Sequence, residues 1–186
     1  MRALLIPVDG TPSPVELDGD SDGSTLAGLQ RMVGGSIEPF EPLFGENICV
    51  YCNEEGMYSC LPNRAIRATK EMEQAGYASP SDGARAVREG ELFTILFGPL
   101  VAVGFDPSTG RNRGLTEEET RGVEAYFTRT SPPGSGLREI LAMRSNTPGR
   151  KSPSLEAEAS SALAAARRLS EGHTPEHDSP AGRQTI

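Results

Sequence analysis

The chain reads as an α+β domain: a mixed or mostly antiparallel sheet with two to three helices on one face, followed by a low-complexity tail. Three observations predict this. Short apolar runs bounded by Gly, Pro, Asn and Asp recur as strands do, at "RALLIPV", "NICVYC" and "LFTILFGPLVAVGF". Two segments, 24–35 and 116–129, instead carry helical spacing with capping residues. Some six short strands and helices are joined by turn-rich loops, which suits an α+β arrangement.

"RALLIPV" (2–8) ends at Asp9-Gly10 and is the first buried strand. Pro12 and Pro14 open an extended piece with Val15 and Leu17 on one face and Glu16 on the other. An acidic turn follows, then a helix capped by Ser24 or Thr25, with Leu26, Leu29, Met32 and Val33 as its apolar stripe. Gly34-Gly35 ends that helix in a left-handed C′ conformation. "SIEPFEPLF" (36–44) is extended, and Pro39 and Pro42 confine it to a sheet edge or an irregular segment. "NICVYC" (47–52) is a central strand, and Asn53-Glu54-Glu55-Gly56 is a hairpin turn into a strand "MYSC".

"PNRAIRATKEMEQ" (62–74) has a proline near its start and apolar Ala65, Ile66, Ala68 and Met72, and predicts a helix. "LFTILFGPLVAVGF" (92–105) is broken by Gly98-Pro99, giving two strands or one bent strand. "DPSTGRNRG" is a loop. Thr116 caps a helix whose first turn holds Glu117, Glu118 and Glu119, where the helix dipole favours them. "SPPGSG" (131–136) closes a folded domain of residues 1–130. Residues 131–186 form a largely disordered tail with at most an isolated helix over 154–169.

Charge follows the same division. Residues 1–135 hold 11 basic and 20 acidic side chains, a net of −9; residues 136–186 hold 7 and 6, a net of +1. An acidic body is the reverse of the basic face that direct nucleic-acid binding requires. No stretch approaches the ~20 apolar residues of a membrane-spanning helix. Three cysteines, an odd number, make no disulfide framework. A cytoplasmic protein is expected.

The acidic turn resembles a calcium loop at first: Asp18, Asp20 and Asp22 fall at positions 1, 3 and 5, and Gly23 at position 6. Position 12, which needs a bidentate Glu, is Leu29 on the apolar stripe. The turn is therefore read as architecture, and no metal is expected. Cys49 and Cys52 form a CxxC inside a strand, where an offset of three sends the thiols to opposite faces. Zinc would need His173 or His177 from the tail, so the cysteines are read as buried and inert. No histidine precedes position 173, which removes His-dependent triads from the domain. No phosphate-cradling glycine motif stands between a strand and a helix. No catalytic set and no cofactor is expected.

The binding candidates are basic or turn residues. Arg111, Asn112 and Arg113 in "GRNRG" suit an anion, since guanidinium forks grip phosphate in pairs. Arg64 and Arg67, one helical turn apart in the expected helix, form a second basic row. The Asn53–Gly56 turn adds Asn53 and Glu54.

Taken together, "MRALLIPVDG", "LAGLQRMVGG", "IEP", "LFGENICVYCNEEG", "LPNRAI", "LFGPLVAVG" and "GLTEEE" follow in an order that resembles a family of small uncharacterised proteins, the domain of unknown function 3846. The resemblance covers roughly residues 1–130. It implies a cytoplasmic accessory protein of phages, plasmids and other mobile elements of Gram-positive bacteria, with no settled activity. The expected work is binding: sequestering a small anionic or nucleotide ligand, or a host protein. The alternatives are an acidic DNA mimic with an antirestriction role, and an enzyme with a carboxylate base.

Overall fold

In a computed structural model, residues 1–19, 24–40 and 43–145 are described. Asp20, Asp22, Gly23, Pro42, the expected helix over 154–169 and both histidines lie outside the described residues.

The main sheet is antiparallel throughout. Strand β1 (Arg2–Ile6) pairs with β2 (Ser13–Glu16) on one side, Arg2 opposite Glu16. On its other side β1 pairs with β7 (Leu100–Asp106), Leu5 opposite Val101. Strand β4 (Ile48–Asn53) lies on the far side of β7, and β3 (Ile37–Phe40) closes that edge, in the order β2-β1-β7-β4-β3. As its prolines require, "SIEPF" is an edge strand and "NICVYC" an interior one. Arg111–Arg113, expected in a loop, form a short strand β8 on the end of β7.

The interior strands are buried on both faces, and side-chain alternation sorts them cleanly. Ala3, Cys49, Val101 and Val103 point to one face, under α1 (Leu26–Val33) with its buried Leu29 and Val33. Leu4, Ile6, Val50, Cys52, Leu100 and Ala102 point to the other. Cys49 and Cys52 thus do face opposite ways, both buried. Gly34 ends α1 at φ 77°, and the Ser24 hydroxyl accepts the Leu26 amide hydrogen bond.

A second layer covers the other face. It is a two-stranded sheet of β5 (Pro62–Arg67) and β6 (Leu92–Phe97), with α3 (Lys70–Gln74) and α4 (Glu117–Ala125). Ile66, Met72, Leu96, Val123 and Phe127 supply its core contacts. Thr116 and Glu119 form a reciprocal capping box at the start of α4. The last turns, Tyr126–Thr130, widen to a π-helix that keeps Tyr126 and Phe127 both buried.

Three expectations are corrected here. The helix expected over 62–74 begins only at Lys70; 62–67 is strand, because Asn63, Arg64, Ala65 and Ile66 are all buried between the core and a further helix. "MYSC" is not a strand: α2 (Gly56–Ser59) is one helical turn. Packed structure also continues past 130, since α5 (Ser135–Ser145) lies against β5. A Cβ on Gly136 would come within 3.1 Å of the Asn63 backbone, so a larger residue there would push α5 a few tenths of an ångström away from β5.

Hydroxyls from this C-terminal region close the outer edge of β5. Ser135 Oγ accepts the Ala65 amide, Ser131 Oγ donates to the Ala65 carbonyl, and the Tyr126 hydroxyl both accepts from and donates to the Arg67 backbone. They replace a strand that is not there.

Candidate functional site

The basic candidates do not converge. Arg64 is fully buried, and its guanidinium donates to the Val8 carbonyl at 3.1 Å, the Gly10 carbonyl at 2.7 Å and the Asn63 side-chain oxygen. Asn63 in turn donates to the carbonyls of Ile6 (3.0 Å) and Gly98 (2.6 Å). This pair therefore fastens β5 to the end of β1 and to the Gly98-Pro99 turn that passes the chain from the small sheet to the large one. Burial lowers the Arg64 pKa to about 10, only partly countered by Asp9. The side chain points inward, so the expected exposed basic row does not form. Arg67 pairs with Glu139 of α5 and donates to the Gly90 carbonyl.

Arg113 is held by Glu119, with two guanidinium bonds of 2.8 and 2.6 Å, and also donates to the Gly114 and Asn47 carbonyls. The Arg113 hydrogen bonds, outweighing burial, lower the Glu119 carboxyl to about 2. Asn112 accepts from the Tyr51 hydroxyl at 3.1 Å and donates to Thr25 Oγ1 at 3.4 Å, tying β8 to β4 and to the start of α1. Of the "GRNRG" trio, only Arg111 is exposed.

Asn53 is also a structural tie. Its side-chain nitrogen donates to the Val33 and Gly34 carbonyls at the end of α1, and its oxygen accepts the Glu55 amide at 2.9 Å. Glu54 is exposed.

Asn53 and Glu54 nevertheless border a groove of about 420 Å³ that sequence reading missed. Residues 38–40 of β3 form one wall, 93–97 of β6 the other, and 52–54 with Met57 one end. Its lining is mostly apolar. The charged members are Glu38 and Glu54, both acidic and exposed. Cys52 lines it too; burial pushes that thiol up to about 11, and its Sγ donates to the Glu38 carbonyl, so it is a packed hydrophobe rather than a nucleophile. Met57 of its lining is 61% exposed, and Tyr58 (85%) and Leu61 (51%) follow it closely in the chain. Exposed apolar residues gathered next to a concavity mark contact surfaces. The sequence signal was present in "GMYSCL", read as a strand instead of a projecting turn.

Among the described residues, no group of His, Cys, Asp and Glu could hold a metal ion. No helix among them is long and apolar enough to cross a membrane. No curated protein and no solved structure matches the chain. Residues 1–130, well over half of it, match the family model described as Domain of unknown function (DUF3846), and the chain belongs to that family.

Proposed function

We propose that this chain is a non-enzymatic accessory protein that works by holding another protein in the groove between β3 and β6. The observation that carries this reading is the groove itself, mostly apolar and with the exposed Met57 in its lining. The mobile-element setting implied by the sequence resemblance makes a host protein the expected partner. A small anionic ligand draws less support. Arg64, Arg67 and Arg113 spend their guanidinium groups on internal acceptors, and the groove is lined by acids rather than bases.

One observation favours a second reading, an enzyme with a carboxylate base: Glu38 and Glu54 line the same concavity. A Glu54→Gln variant separates the two, because conversion of a substrate needs the ionised carboxylate whereas an apolar docking surface largely does not.

Affinity purification from native cells, run in parallel with the wild-type chain and with Met57→Asp, tests the main reading. The residue is exposed, so the variant folds. A partner recovered with the wild type and lost with Met57→Asp supports the groove. A partner retained equally by both places recognition elsewhere.

A further inference from the structure

Sheet edges recruit other chains, and folded proteins block them with proline, charge or a cover. Here β2 carries Pro14 and β3 carries Pro39. The outer edge of β5 is closed by the hydroxyls of Tyr126, Ser131 and Ser135. Strand β8 is three residues long, two of them arginine. Strand β6 has no proline or charge of this kind, and its cover is local: α2 lies against its Phe97 end, where a Cβ on Gly56 would come within 3.2 Å of the Phe97 carbonyl. The strand reads LFTILF, with no charge and no proline over six residues, and it pairs with β5 alone.

The groove follows that edge. All five consecutive residues 93–97 line it. Successive side chains of a strand point to opposite faces, so a groove lying on one face would meet every second residue. Contact with five in a row places the opening alongside the strand, where backbone amides and carbonyls emerge.

We propose that the free edge of β6 accepts an extended segment of the partner protein as an added strand, one that alternates apolar residues with Lys or Arg. This rests on reading the groove as the partner site. Main-chain bonding to β6 would supply affinity without regard to sequence, and side chains at every second position would supply selectivity. Charge complementarity names those side chains. Among the described residues Glu38 and Glu54 are the groove's charged members and no base lines it, and the body bearing it has a net charge of −9. A second copy of this chain would bring the same acids against one another, which disfavours a symmetric pairing.

A displayed library of random octapeptides selected on the full chain tests this. Selected peptides are remade with backbone N-methyl groups at one or the other set of alternate positions. Lys or Arg alternating with apolar residues is expected. N-methylation of one set should weaken binding about 10-fold or more, and methylation of the other should leave it intact. Replacing Glu38→Lys and Glu54→Lys together should reverse the charge preference. Selection of acidic or neutral peptides, indifference to methylation in both sets, no selection, or dimerisation through β6 instead of peptide binding would each overturn the added strand. Native-partner capture that still depends on Met57 would then leave the groove as a binding surface and remove only this mode of using it.

Discussion

Phe40 of β3 meets Phe93 of β6 across the groove, with ring centroids 6.3 Å apart and planes inclined by 57°. Tyr77 stacks edge-on against the same Phe93 at 6.1 Å. Phe40 and Phe93, both half-buried, join the two sheets where no backbone ladder among the described residues does, and the more exposed Tyr77 flanks them. Replacing Phe93→Ala should cost about 1–3 kcal/mol, less than a fully buried Phe. Urea denaturation checks it, and a loss within error would mean that the walls are held apart by other contacts.

Arg64 and Arg113, each held by several guanidinium hydrogen bonds, should differ sharply in worth. Arg64→Ala deprives the buried Asn63 side-chain oxygen and the partly buried Val8 and Gly10 carbonyls of their donor and opens a cavity, so a loss of about 3 kcal/mol or more is expected. Arg64→Lys should rescue little, because a single ammonium cannot fork to both carbonyls. Arg113→Ala breaks a partly exposed pair and should cost about 1 kcal/mol or less. Equal losses at the two sites, read from chemical denaturation, would contradict the burial argument.

Besides Glu91, whose carboxyl Arg85 and Ser79 hold well below the ordinary range, acid should act through Glu119. Its folded pKa of about 2 lies below the ordinary 4.5, so its contribution is fully present above 4.5 and is lost as pH falls toward 2. Melting temperatures measured between those limits should fall more steeply for the wild type than for Glu119→Gln, which has no such proton to take up. Parallel curves would show that the Arg113 bond adds no pH-dependent stability.

Thiol chemistry offers a check on the cysteines. Cys49 and Cys52 are buried and Cys60 is half-exposed. One thiol per chain should react quickly with a neutral disulfide reagent at pH 7.5, and two only after denaturation. Two fast thiols would place Cys49 or Cys52 at the surface. Added zinc should leave the melting temperature unchanged, since the CxxC thiols sit on opposite faces of β4.

Where local chemistry decides the structure, the fold is legible in the sequence. Gly34 ends α1, Thr116 and Glu119 box the start of α4, Pro39 marks an edge strand, and strand periodicity separates Cys49 from Cys52. Long-range packing hides the rest. Asn63 and Arg64 look like the polar residues of a surface helix. They are buried because carbonyls at positions 6, 8, 10 and 98, distant in sequence, need donors. Arg67 and Arg113 look free until Glu139 and Glu119 reach them, and Ser131 and Ser135 look like linker residues until β5 lies beside them. Of the groove, only the apolar run that begins at Met57 is legible: its walls are some fifty residues apart, and no motif joins them.

Amide hydrogen exchange of the full chain, alone and with its captured partner, tests the central claim most directly. If the groove between β3 and β6 holds the partner, amides within 93–97 should gain protection on binding while β2, at the opposite edge of the main sheet, stays unchanged. Protection confined to β2, to Arg111 and its neighbours, or to α5 would contradict the account.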